Sequence, residues 1–125
     1  MANSNYINDK TYQVGKFVDV REVIALTSTA IVNLDFTEPK EWTLTATQAT
    51  VFNITGTYET GDTVWVHVTG DYTMSFIQST FTFYGNLTAG LVNGYNGLKY
   101  NYIGVRCIDA TNKKFRVVCQ TDLNN

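Results

Sequence analysis

The chain is 125 residues long, with a formal net charge of -2 and only 16% charged residues, a length that suits one domain with a buried core. This weak charge argues against nucleic acid as a partner and against a polybasic segment for membrane binding. The N-terminal sequence also lacks the basic region and the apolar run of a secretion signal, and no apolar stretch is long enough for a bilayer span, so we expect synthesis in a cytoplasm and no membrane insertion.

Residues 1–16 come first along the chain. They are polar, rich in Asn and without a clear hydrophobic period, which predicts a flexible N-terminal arm ahead of one β-sandwich domain over residues 17–125. Tyr6, Ile7 and Tyr12 are candidate anchors within this arm, because apolar side chains in an otherwise soluble segment can order it when it docks on a larger particle.

Short apolar stretches with a period of two residues follow, and they predict β-strands rather than helices. The predicted strands cover residues 17–26, 30–36, 41–47, 51–55, 63–69, 72–77, 80–84, 99–108 and 114–120. Nine strands at this spacing, separated by residues that favour turns, predict an all-β fold. We expect an antiparallel β-sandwich or a jelly-roll-like domain, assembled as a trimer.

The segment from Glu59 to Phe76 predicts a β-hairpin that turns at Gly70-Asp71, since Gly-Asp between two alternating runs is a strong hairpin signal. In that register one face carries valines, which we assign to the core, and the other carries aromatic side chains. A domain of this size ordinarily leaves one sheet face to water, so a second apolar face needs a partner. The predicted oligomer interface consists of Trp65, His67, Tyr72, Met74 and Phe76.

Few residues suggest chemistry. His67 is the one histidine and lies between two valines, which favours a structural or interface role over acid-base catalysis. The histidine and two cysteines lack a recognised metal-ligand spacing, and the carboxylates fall mainly at turns. We therefore expect no metal, no cofactor and no enzymatic activity; a small enzyme acting on glycans is the weakest of the alternatives.

Cys107 and Cys119 lie on the last two predicted strands. If Ile108 pairs with Phe115, the two thiols point to opposite faces of the hairpin and cannot form a disulfide. A shift of one residue would place them on one face but diagonal to each other.

The glycine-rich stretch 85–97 lacks the Gly-Lys-Ser/Thr ending of a phosphate-binding loop and predicts a long loop that contacts a neighbour. Its Asn93, Tyr95 and Asn96 are candidate contacts with a glycan at the tip of the molecule. Sugars stack on exposed aromatic rings, and the chain is 14% aromatic, so a carbohydrate-binding protein is an alternative to a purely structural one. Core and subunit contacts are the competing explanation for the same aromatics.

The order of several segments resembles a known family. The runs IVNLDF, WTLTATQATVFNITG, ETGDTVWVHVTGDYTMSF, FTFYGNLTAG and YNYIGVRCIDATNKKFRVV are similar to the small β domain of bacteriophage head-fibre, neck-appendage and tail-fibre proteins. The similarity covers about residues 30–118. Two features differ from the family: Phe115 and Arg116 replace a common Trp-Tyr, and the loop before the closing hairpin is longer.

This resemblance implies a virion surface protein, usually a trimer of β domains that is attached by an N-terminal segment. Because the chain has no long helical or repetitive shaft, we expect a short head fibre or a capsid decoration protein. Its expected partners are copies of itself, capsid or other virion proteins, and host surface polysaccharide. The alternative function is a lectin-like adhesin that recognises host surface glycans.

Overall fold

A computed structural model describes residues 23–37 and 41–122 of the chain. These residues form eleven strands and no helix, which confirms the all-β prediction. The strands are β1 Ile24–Leu26, β2 Ile31–Asp35, β3 Glu41–Thr45, β4 Thr50–Thr55, β5 Thr63–Thr69, β6 Met74–Phe76, β7 Thr82–Gly85, β8 Leu87–Thr88, β9 Leu91–Val92, β10 Asn101–Asp109 and β11 Lys114–Thr121.

The strands form two sheets. The six-stranded sheet has the order β1-β3-β5-β10-β11-β7, and the five-stranded sheet has the order β2-β4-β6-β9-β8. Both sheets are mixed, and five of the nine strand pairs among the described residues are parallel. The expectation of an antiparallel sandwich or jelly roll is therefore wrong in its pairing, although two stacked sheets are present.

The first six strands account for four of the five parallel pairs, because they alternate between the two sheets, and the fifth pair joins β7 to β11. The chain runs through β1, crosses to β2, returns to β3 and continues in this way to β6, so it winds as three flattened coils. Positions 24, 42 and 66 stand side by side in one sheet, and positions 31, 51 and 75 do so in the other. We call residues 23–77 the coil region.

The turn at Gly70-Asp71 shows why the predicted hairpin is wrong. Strand β5 pairs with β3 and β10, whereas β6 pairs with β4 and β9, so this turn joins the two sheets. Gly70 has φ of 119°, and a Cβ there would lie 2.5 Å from the carbonyl oxygen of Ala46 in the coil below. Gly70 therefore marks a tightly packed turn between the two sheets and not a hairpin turn, although both kinds of turn need the conformational freedom of glycine.

Residues 82–122 complete both sheets, and we call them the closing region. Its main element is the antiparallel pair β10–β11, which carries a bulge between Cys107 and Asp109. Both cysteines lie on the inner face, and both are free thiols. The bulge pairs Cys107, rather than Ile108, with Phe115, so the expected opposite orientation of the two thiols is wrong.

The core lies between the sheets and forms a single cluster. Alternating side chains of every long strand enter it, as the period-two pattern predicted; Val64, Val66 and Val68 of β5 are each fully buried. At one end Phe115 packs its ring against Phe36 at 5.5 Å and against Phe81 at 5.5 Å between centroids. This aromatic cluster ties the coil region to the closing region.

Candidate functional site

The outer face of the six-stranded sheet, which points away from the core, carries polar and aromatic side chains close together. Strands β5 and β10 are neighbours there, with His67 directly opposite Tyr102 and Trp65 directly opposite Gly104. Directly paired residues point to the same side of a sheet. Sequence alternation placed Trp65 and His67 outside correctly, but their partners come from β10 rather than β6.

The rings on this face contact one another closely. Trp65 stacks on Tyr102 with 4.6 Å between ring centroids and 23° between planes. His67 lies 4.3 Å from the same tyrosine ring. Trp65 also covers Gly104, where an added Cβ would be 2.6 Å from the indole Cζ3 atom. Glycine at this position lets the indole lie directly on the strand.

Glu41 orients the histidine from the neighbouring strand β3. Its Oε2 atom lies 2.7 Å from Nε2 of His67, and the two side chains are 22% and 34% exposed. Since a carboxylate only accepts hydrogen bonds, Nε2 carries the hydrogen, and Nδ1 of a neutral ring is left as an acceptor. The pair fixes the imidazole beside Tyr102.

The floor at the end of this face is built around Asn101, which is 2% exposed. Its Nδ2 atom lies 2.7 Å from the Asn96 carbonyl oxygen and 2.9 Å from that of Lys99. Its Oδ1 atom accepts a hydrogen bond from the Asn96 amide at 2.9 Å, and the Thr121 hydroxyl is also 2.9 Å away. The buried amide thus fixes the loop before β10.

An open groove of about 730 Å3 lies at this end of the sheet face, and we call it the aromatic groove. Tyr100 is 57% exposed at its rim, while Tyr102 and His67 are half-buried. The lining residues are His67, Tyr100, Asn101, Tyr102, Gln120, Thr121 and Asp122. The groove combines ring faces with an amide, a hydroxyl and a carboxylate, which is the composition of a binding site for a small polar molecule.

The residues of the predicted oligomer interface separate in the structure. Trp65 and His67 lie on the outer face, and Tyr72 is 45% exposed at the corner after Gly70. Met74 and Phe76 are 1% and 3% exposed and point into the core of their own chain. The expectation that they share an exposed face with Trp65 is wrong, because β6 belongs to the other sheet.

The predicted tip contacts lie in the loop between β9 and β10, outside the aromatic groove. The Asn93 amide donates to the Thr88 hydroxyl at 2.9 Å, and Asn96 Oδ1 accepts from the Leu98 amide at 3.0 Å. Tyr95 is half-buried and donates its hydroxyl hydrogen to the Gly70 carbonyl oxygen at 2.6 Å. These contacts stabilise the loop itself, and the glycan role stays a prediction.

The predicted capsid anchors Tyr6, Ile7 and Tyr12, with the whole arm 1–16, lie outside the described residues. Sequence reasoning counted Tyr100 and Tyr102 only among the aromatic residues of a possible carbohydrate-binding surface and did not consider Gln120, so it placed none of the three in this groove. Their alternation on neighbouring strands was a usable signal. This signal did not identify the groove, because the sequence analysis paired β5 with β6 instead of β10.

In residues 23–37 and 41–122, no group of three or more His, Cys, Asp or Glu side chains could hold a metal ion. The same part of the chain contains no helix able to cross a membrane. No family model, curated protein or solved structure matches the chain.

Proposed function

We propose that the chain is a non-enzymatic virion structural protein, a short bacteriophage head fibre or capsid decoration protein. The resemblance of its sequence runs to fibre-type β domains motivates this proposal. The observation that carries it is the edge of the first coil, where exposed apolar side chains follow the predicted N-terminal arm in the sequence.

Strands β1 and β2 are each the last described strand of their sheet, and together we call them the open coil edge. Val23, Ile24 and Ile31 in this coil are 51%, 37% and 54% exposed. An exposed apolar edge strand readily pairs with another chain. A particle surface or a second copy bound here would satisfy the backbone groups and cover the aliphatic side chains.

The homotrimer belongs to the same proposal. Closed three-fold association would cover one such edge on every copy. Met74 and Phe76 are buried and cannot form the expected interface. The exposed aliphatic side chains around Ile31 are therefore a better candidate interface than the surface around Trp65. We therefore place the proposed self-association at the open coil edge.

Light scattering of the full chain tests the trimer. We expect about three times the chain mass of 14.0 kDa for the wild type and a lower mass for Ile31→Lys, because a charge at this edge opposes pairing. Tyr84→Lys is the matched control, since Tyr84 is also an exposed edge residue, on β7. A wild-type chain that scatters as a single copy would contradict the trimer.

Virion attachment needs a separate measurement. Antibodies raised against the chain should label intact particles of the phage that encodes it, and mass spectrometry of those particles should find the chain. Its absence from purified particles, together with its presence in the infected-cell lysate, would contradict the structural role.

A carbohydrate-binding adhesin is the second candidate function, and the aromatic groove favours it. The two functions are compatible because the groove lies on a sheet face while the proposed self-association uses a sheet edge. A single copy that binds sugar would favour the adhesin alone. A trimer that binds no sugar would favour the structural role alone.

A further inference from the structure

We propose that the aromatic groove binds a neutral pyranose unit of a saccharide chain. This assignment gives the second candidate function its site and its ligand class and therefore rests on that function. Virion attachment does not depend on it. Ring surfaces, the polar groups around them, the local charge and a rigid groove floor support the assignment.

Two tyrosines form the apolar part of the site. Tyr100 and Tyr102 alternate around inward-pointing Asn101 and both line the groove, so their Cα atoms are about 7 Å apart. That spacing is comparable with the width of one sugar ring. Tyrosine supplies a flat apolar surface with a polar hydroxyl at its tip, which suits a molecule with C–H groups on its faces and hydroxyls around its rim.

Polar side chains surround these rings. Gln120 stands directly opposite Tyr102 and is exposed, so its amide can both donate and accept. His67 contributes the ring nitrogen that Glu41 does not use. Sugar hydroxyls donate one hydrogen bond and accept others, so mixed donors and acceptors match them better than a row of one kind.

Charge selects among polar ligands. Asp122 places a carboxylate at the groove and Glu41 a second one behind His67, and no Lys or Arg is among the described residues that line it. The cationic pair Arg106 and Arg116 faces the same side of the sheet but lies four residues along β10 from Tyr102, about 13 Å away. Phosphates and uronic acids would meet repulsion in the groove, so a neutral sugar fits it best.

The floor is organised before any ligand binds. Asn101 and Thr121 are held by hydrogen bonds to the loop before β10 and to each other, and Trp65 stacks on Tyr102. A site that needs little ordering loses less affinity to conformational entropy. The groove volume of about 730 Å3 falls within the usual range for small-molecule sites.

The experiment uses the full chain on a glycan array that holds neutral hexose oligosaccharides and uronic-acid oligosaccharides of similar length. The best neutral binder is then titrated into the wild type, Tyr100→Ala and Tyr84→Ala by calorimetry. We expect affinity to fall about tenfold or more for Tyr100→Ala, because a lost ring contact removes stacking. Tyr84→Ala should bind like the wild type, since this exposed tyrosine lies on the same sheet but outside the groove.

Each outcome decides a different question. Tyr100 is 57% exposed, and unchanged thermal melting of its variant would show that the fold is intact. Wild-type sugar affinity in a folded Tyr100→Ala variant would overturn the site but leave carbohydrate binding standing. A preference for uronic acids would overturn the ligand class, and a wild-type chain that binds no saccharide would overturn the adhesin function.

Discussion

The coil region and the closing region contribute to one core but are built by different pairings. In the coil region the strands β1 to β6 pair in parallel with strands one coil away. In the closing region β10 and β11 form an antiparallel pair joined by a short turn. The coil region thus depends on contacts between residues far apart in the sequence. The closing region combines a local strand pair with the pairing of β10 to β5, which joins it to the coil region.

Phe115 provides the largest test of this comparison. It lies in the closing region with no exposed surface, and its ring meets Phe36 and Tyr58 of the coil region at 5.5 and 5.1 Å. Phe115→Ala should lower the free energy of unfolding by about 3–5 kcal/mol, because it removes a large buried ring and leaves a cavity. Urea denaturation measures this loss.

Phe52→Ala is the matched variant in the coil region. Phe52 is equally buried, but the ring nearest to it is Phe76 of the same region, at 5.3 Å. We expect a smaller loss than for Phe115 and a single unfolding transition in both variants. Two separate transitions would show that the regions unfold independently and would break the proposed link.

Gly104 tests the contact between strands β5 and β10. Gly104→Ala would place a Cβ 2.6 Å from the Trp65 ring, and relieving the overlap should cost about 1–3 kcal/mol of unfolding free energy. Denaturation measures the cost in wild-type and Trp65→Ala backgrounds. The substitution should cost much less when the indole is absent, and an equal cost in both backgrounds would show that the indole does not cause it.

The sequence predicted which residues enter the core more successfully than it predicted how strands pair. Val64, Val66 and Val68 were assigned to the core because a strand alternates its faces by local geometry, whatever its partner. The pairing of Trp42 with Val66 joins positions in successive coils, and no local pattern specifies it. A two-residue turn signal at Gly70-Asp71 was therefore assigned to the commoner hairpin.

The same limit applies to the candidate site. Trp65 and His67 were recognised because their β-strand is a clear alternating run. The groove also needs Tyr100, Tyr102 and Gln120, which reach it only through the pairing of β10 with β5 and β11. The short strands β8 and β9 were missed as well, since two-residue strands show no period.

Asn101 tests how strongly the closing region fixes its loop. Asn101→Ala removes a buried amide and leaves the Asn96 and Lys99 carbonyl oxygens without it, which should cost about 1–3 kcal/mol. Hydrogen exchange should speed up for the Asn96 amide. Asn53→Ala in the coil region is the control, because its side chain makes an exposed contact with Asn33, and it should change stability by less than about 0.5 kcal/mol.

The Tyr95 substitution has the smallest expected effect. It tests the contact between the β9–β10 loop of the closing region and the turn at Gly70 in the coil region. Burial, with smaller contributions from the negative charges of the Cys119 thiolate and Asp71, raises the pKa of Tyr95 from 10.0 to about 12. The folded state therefore keeps the phenol proton where the unfolded state has lost it. The resulting stabilisation is complete below pH 10 and is lost as pH rises toward 12.

The difference in tyrosinate absorbance between the wild type and Tyr95→Phe during an alkaline titration follows this ionisation, and denaturation at several pH values follows the stability. Tyr95→Phe removes both the ionisable group and its hydrogen bond to Gly70, so we expect a slightly lower stability at neutral pH and a flatter decline between pH 10 and 12. Tyr72→Phe, an exposed neighbour at the same corner, should leave the decline unchanged. If both variants decline as steeply as the wild type, the alkaline loss arises from another group, and an unchanged stability of Tyr95→Phe at neutral pH would show that the loop does not depend on the Tyr95 contact.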